Sequence, residues 1–297
     1  MSRHAPASEG ASDLLRSWYA QSARELPWRH RSASPWAVLV SEIMLQQTPV
    51  SRVLPAYIEW LERWPTPAAL AASSPGDAVR AWGRLGYPRR ALRLHAAAVA
   101  LVAEHGGEVP ADVAALRALP GVGDYTAAAV ATFAFGQRHA VLDTNVRRVV
   151  ARAWSGLAGT TTPAVTVAER RLAETLLPDD DQLASVVSVA LMELGALVCH
   201  ARAPSCDECP LADRCAWRLA GYPAPSAPAR RPQTYQGTDR QARGAVLSVL
   251  RVHAEPVERS ALTAAWADGV QLARALDGLI ADGLISPCVG DRLGLPT

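Results

Sequence analysis

A chain of 297 residues suits two or three domains, and with 49% hydrophobic residues it can bury a substantial core. The net charge is only +2, so any nucleic-acid face must come from clustered charge, and no apolar run approaches the ~20 residues of a helical membrane span. All 30 basic residues are arginine; a guanidinium never becomes neutral near pH 7, so no side chain here can form a Schiff base.

The opening MSRHAPASEGAS lacks the apolar core of a signal peptide and reads as a disordered tail on a cytoplasmic protein. A short amphipathic helix over 12–23 is broken by Leu26-Pro27-Trp28-Arg29. Ser34 then caps a helix with Pro35 in its first turn, WAVLVSEIMLQQ, which is apolar nearly all round and should be buried. Further helices fit about 50–63, 66–72, 75–84, 88–104 and 111–118, separated by Pro- and Gly-rich breakers. Leu119-Pro120-Gly121-Val122-Gly123 is a tight turn, and an alanine-rich helix follows from about Asp124 to Phe135. Helices continue at about 144–154, 164–176 and 181–197. No segment alternates with period two for long, so the fold class is all-α. After four clustered cysteines comes a Pro/Ala/Arg-rich linker over 223–236. Helices at 238–252, 257–266 and 268–282, with a hairpin through Gly290-Asp291, then suggest a separate winged-helix-like module.

Four features carry chemistry. Gly121 and Gly123 precede a helix start, where free backbone N–H groups can grip a phosphate. Asp143 stands before the helix TNVRRVV, a position where a plain N-cap is the ordinary reading. Glu42 lies inside the apolar helix, where a carboxylate must be paired or protonated, and desolvation would make it a better acid near neutral pH. Cys199, Cys206, Cys209 and Cys215 follow a C-x6-C-x2-C-x5-C spacing, and four such thiolates permit zinc or an iron–sulfur cluster. Cys288 stands outside this pattern. Arg84, Arg89, Arg90 and Arg93 make a local basic edge for phosphates, or a solvated helix face.

The helix–hairpin–helix over 113–135 followed by Asp143 resembles the corresponding motif of the endonuclease III superfamily of base-excision DNA glycosylases. Within it the chain most resembles the MutY-type adenine glycosylases, from about Arg24 to Tyr222. The segment SEIMLQQT is similar to that family's adenine-pocket motif, which spans Glu42, Gln46, Gln47 and Thr48 here. The resemblance implies that Glu42 protonates N7 of adenine and that Asp143 stabilises the oxocarbenium ion. It implies that Arg24, Trp28 and Leu45 line the adenine pocket, and that Gln47 and Tyr87 enter the base stack beside the opposing base. Tyr125 occupies the position of the lyase lysine of endonuclease III, and Asn145 matches the MutY-type Asp-x-Asn. The cysteine loop is implied to hold a 4Fe–4S cluster and to order arginines such as Arg202 and Arg214 near DNA.

The implied architecture is two-lobed. Residues 1–29 with 138–222 hold the cluster, 30–137 form a six-helix lobe, 223–236 are the linker and 237–297 the winged-helix-like module. A flipped-out adenine enters the cleft between the lobes. The implied protein is a monomer, cytoplasmic and free of membrane, acting on double-stranded DNA with A:8-oxoguanine or A:G mispairs. Two departures stand out. Val189 replaces a polar pocket residue, and about sixty residues after the linker cannot build the Nudix-like domain that usually reads 8-oxoguanine. The alternatives are a mismatch thymine/uracil glycosylase on the same scaffold and a non-catalytic DNA-binding protein.

Overall fold

The computed structural model of the chain describes residues 10–225 and 235–297. Most of the expected N-terminal tail and of the expected linker lies outside them. In chain order the helices before the cysteine loop are α1 (Ala11–Ser22), α2 (Pro35–Leu45), α3 (Val50–Arg63), α4 (Pro67–Ala71), α5 (Pro75–Trp82), α6 (Arg89–Glu104), α7 (Val113–Ala118), α8 (Asp124–Phe135), α9 (Thr144–Ala153), α10 (Val167–Leu176) and α11 (Asp181–Leu197). Beyond it come α12 (Ala216–Leu219), α13 (Asp239–Val252), α14 (Arg259–Thr263) and α15 (Gly269–Ala281).

The chain divides into two units. The first is Met1–Val38, Ala111–Ala114 and Gly123–Arg230; the second is Leu39–Pro110, Ala115–Val122 and Arg231–Thr297. Sequence pattern puts the corresponding breaks after 29 and 137. The helix α8 explains the second difference. Its run Thr126–Thr132 is buried throughout, and Ala128 and Ala129 pack with Val141 against Met192 of α11. Such small side chains let α8 come close to its neighbour, so it belongs with the first unit. Gly136, left-handed at φ 68°, ends it by sending its N–H to the Thr132 carbonyl at 3.0 Å.

The core of the first unit joins Leu15 of α1, Val146, Val149 and Val150 of α9, and Val187, Leu191 and Leu194 of α11. Capping fixes where these helices begin. Asp143 caps α9, Asp180 caps α11, and Thr166 with Glu169 forms a reciprocal capping box on α10.

In the second unit Trp60 meets Trp64 and Trp82 edge to face, with centroids 4.6 Å and 5.6 Å apart. Thr66 and Ser74 cap α4 and α5, each with proline in the first turn. Both helices pack on α6, whose Leu94 and Leu101 are fully buried.

The C-terminal residues carry three strands, β1 (Val257–Glu258), β2 (Ser286–Cys288) and β3 (Arg292–Gly294), paired antiparallel in the order β1-β3-β2. With α13, α14 and α15 this is a winged-helix-like arrangement. The sequence suggests helix from 257; Val257 instead pairs with Leu293, a long-range contact that the local pattern does not contain. The module packs on α5. Arg80 donates to the carbonyls of Arg251 and His253 at 2.7 and 2.8 Å, and Arg251 donates to the Val79 carbonyl at 3.0 Å. The N–H of Gly76 reaches the Pro296 carbonyl at 2.7 Å, and a Cβ at Gly76 would strike that carbonyl.

Candidate catalytic carboxylates and cysteine loop

The first unit presents Asp143 at the N-terminus of α9. Its Oδ1 accepts the Val146 N–H at 2.6 Å, and its Oδ2 accepts Asn145 Nδ2 at 3.1 Å. Burial pushes its pKa above the ordinary aspartate value, and the N–H groups of Val146 and Asn145 with the Arg148 charge pull it part of the way back. The cap geometry and a perturbed carboxylate therefore coincide in one residue. Asn145 Oδ1 in turn accepts Arg148 Nη2 at 2.9 Å, and Arg148 Nε donates to the Cys199 carbonyl at 2.7 Å. An unbroken hydrogen-bond path thus joins Asp143 to the first residue of the cysteine loop. Gly195 makes this possible, because a Cβ there would lie 2.7 Å from the Asn145 Cβ.

Tyr125 is half-buried on α8 against the Ala128, Ala129 and Val141 cluster, and Gly123 caps that helix in extended conformation with open space at its Cα. Trp28 is buried in the turn Pro27–Arg29. Arg24 is occupied by Glu193, a carboxylate with no exposed surface. Arg24 Nε and Nη2 donate to it at 2.6 and 2.7 Å, its backbone N–H at 3.1 Å, and Arg29 Nη1 approaches at 2.7 Å. Burial alone would raise the Glu193 pKa; the two guanidiniums more than offset it and hold the carboxyl below its usual range. Sequence reading passes over Glu193, although the signal is the one that marks Glu42: an acid inside the apolar run VVSVALMELGAL.

In the second unit Glu42 is 5% exposed on α2, beside the fully buried Ser41. Leu45 and Gln46 are half-buried at the end of that helix, Gln47 is exposed and Thr48 is buried. Tyr87 is about half exposed. Gly121 is left-handed at φ 82° and stands against Arg93, whose Cβ would be 2.8 Å from a Cβ at 121. The expected basic edge loses two members. Arg89 pairs with Asp282 at 3.1 Å, and Arg90 is 6% exposed because its guanidinium is spent on backbone carbonyls.

The cysteine loop is built on two 3-10 turns, Cys206–Glu208 and Ala212–Arg214. Cys199, Cys206, Cys209 and Cys215 line one cavity with Arg152 and Trp217. Arg152 Nη1 lies 3.4 Å from the Cys199 sulfur, and its guanidinium stacks 4.6 Å from the Trp217 ring. Burial pushes the Cys209 thiol up to about 11 and raises that of Cys215. The positive charge of an iron–sulfur group would offset that burial and hold them as thiolates. The donor set therefore fits that group. Arg202 and Arg214 are exposed beside the loop.

Residues 40–194 match the model of the HhH-GPD superfamily of base excision DNA repair proteins, and residues 199–215 match the iron–sulfur binding domain of endonuclease III. An adenine DNA glycosylase of Mycobacterium tuberculosis is 54% identical over 284 residues, 95% of this chain and 92% of that one. A thymine/uracil-DNA glycosylase of Pyrobaculum aerophilum is 36% identical over 203 residues, 68% of this chain and 88% of that one. Among solved structures, a thermostable thymine-DNA glycosylase aligns with TM-score 0.64 at 27% identity, covering 72% of this chain and 97% of that chain.

Proposed function

Because the chain belongs to the HhH-GPD superfamily of base excision DNA repair proteins, we propose that it is a monofunctional DNA glycosylase excising adenine mispaired with 8-oxoguanine or guanine. The observation that carries the choice of adenine is Glu42. Adenine leaves poorly as an anion, so its ring must be protonated, and Glu42 is a carboxylate buried in an apolar helix. Glu42 donates to N7, and the C1′–N9 bond breaks toward an oxocarbenium ion. Asp143 stabilises that cation, directly or through a transient adduct. At ~4 Å and an effective dielectric of ~20 the attraction is about 4 kcal/mol, roughly a thousandfold in rate. Water completes hydrolysis and leaves an abasic site. Tyr125 has no amine, so no imine forms and the strand stays intact.

Substrate binding rests on the hairpin glycines Gly121 and Gly123 for phosphate, and on Gln47 and Tyr87 for the stack. The cysteine loop would hold a 4Fe–4S cluster through Cys199, Cys206, Cys209 and Cys215; such a cluster orders the loop rather than reacting with the base. All four thiols line one cavity. The match of residues 199–215 to the iron–sulfur binding domain of endonuclease III is what favours a cluster over zinc. The winged-helix-like module is assigned a supporting role: every catalytic candidate lies before it, and its Arg243, Arg259 and Arg274 are each paired with an aspartate of the module.

The similarity to thymine and thymine/uracil glycosylases keeps a second reading in view, pyrimidine excision from mismatches. Single-turnover assays over A, T and U opposite guanine and 8-oxoguanine separate the two. Adenine release confined to A-containing duplexes supports the proposal, and faster release of thymine or uracil overturns it.

A further inference from the structure

Two turns in the second unit each hold a non-glycine residue in left-handed backbone: Gln47 at φ 57° after α2, and Tyr87 at φ 48° before α6. A side chain in that region crowds the following carbonyl, so each turn must be held by something outside itself. One side chain holds both. Arg90, in the first turn of α6, donates from Nη1 to the carbonyls of Ile43, Met44 and Gln46 at 2.9, 2.8 and 2.6 Å. From Nη2 it donates to Thr48 Oγ1 at 2.9 Å and to the Gly86 carbonyl at 3.0 Å.

The remaining contacts tighten the same clamp. Thr48 Oγ1 donates to the Leu85 carbonyl at 3.2 Å, so the two turns are also joined directly. Trp82 Nε1 donates to the Gly86 carbonyl at 2.9 Å. The Arg90 guanidinium lies 5.1 Å from the Trp82 ring and 5.5 Å from the Tyr87 ring, which orients the tyrosine. Carbonyls at the end of α2 have lost their helical partners and carry the negative end of the helix dipole, so a cation suits them. A forked guanidinium serves five acceptors; an ammonium has three donors and no fork. The charge is buried and is therefore not offered to DNA.

We propose that Arg90 is a positioning residue that fixes Gln47 and Tyr87 relative to each other, so that both enter the duplex as one preformed wedge. The inference rests on the reading that these two side chains enter the base stack. It predicts that loss of Arg90 spares DNA binding and weakens base unstacking.

The test uses the full-length, cluster-loaded protein at saturating concentration on an A:8-oxoguanine duplex with 2-aminopurine beside the mispair. Wild type should raise the 2-aminopurine fluorescence. R90M should bind with similar affinity, lose most of the rise, and slow single-turnover excision by roughly fivefold to thirtyfold for each left-handed residue released. A purely structural role would lower the folded fraction but leave the rise intact at saturation. T48V keeps the shape and removes the links of the Thr48 hydroxyl to Arg90 and to the Leu85 carbonyl, while leaving the other four Arg90 acceptors, so it should show a smaller loss in the same direction; it decides the matter where R90M does not fold. Q47A and Y87A calibrate the underlying reading. If neither lowers the rise, the stack-entry reading fails and the proposal falls with it. If both lower it while folded R90M or T48V matches wild type, the proposal alone is overturned.

Discussion

Replacing Glu193 by glutamine removes a charge on which two arginines depend. The Glu193 carboxylate is fully buried, takes both Arg24 donors at 2.6 and 2.7 Å and lies 2.7 Å from Arg29 Nη1. Arg24 is about a third exposed and recovers some hydration; Arg29, 15% exposed, does not. Breaking one side of a buried ion pair costs roughly 3–5 kcal/mol, against a total stability of roughly 5–15 kcal/mol for a domain. Glu193→Gln should therefore lower the urea midpoint at pH 7 markedly, read by circular dichroism. The pH dependence follows from the depressed folded pKa. The carboxylate's contribution is complete above the unfolded glutamate value of about 4.3 and is lost as pH falls through the lower folded value. The difference between wild type and variant should thus narrow on acidification. Equal midpoints at pH 7, or a difference that stays constant through the acid range, would show that Arg24 and Arg29 do not depend on the Glu193 charge.

Asp143 should behave in the opposite sense. Its folded pKa is raised, so its ionised form costs stability at neutral pH; Asp143→Asn should raise the melting temperature there, lose that gain at pH below the unfolded aspartate value, and abolish excision. Wild-type excision should also decline, as pH falls, at a pH above that of an ordinary aspartate. Protein purified anaerobically should be brown, with about four iron and four sulfide per chain; stoichiometric zinc without visible absorption contradicts the cluster. Borohydride should trap no DNA adduct with wild type, while Tyr125→Lys should gain some trapping; efficient strand nicking by tag-free wild type would contradict the placement of Tyr125.

Much of the fold is legible because its signals are local. The bounds Asp124–Phe135 and 181–197 follow from a glycine stop and an aspartate cap that sit beside the helices they delimit. Val257 reads as helix because its partner Leu293 is thirty-six residues away and leaves no trace in the local pattern. The same limit applies to the C-terminal module: its composition suggests independence, while Arg80, Gly76 and Arg251 dock it on α5. Chemistry divides likewise. Asp143 and the cysteines stand in spaced motifs, but Arg90 looks like one more member of an arginine run until its five acceptors are seen. Glu193 was within reach of the burial argument that singled out Glu42, and its partners Arg24 and Arg29 lie about 165 residues upstream.

Glu42, the buried carboxylate on α2, is the group proposed to protonate adenine. Single-turnover excision by Glu42→Gln tests this role most directly, measured beside wild type on A:8-oxoguanine, T:G and U:G duplexes. Wild type should release adenine alone, and the variant should bind the A:8-oxoguanine duplex while releasing adenine roughly a hundredfold to ten-thousandfold more slowly. A Glu42→Gln protein that excises adenine at the wild-type rate would contradict the acid role and return the pyrimidine reading to first place.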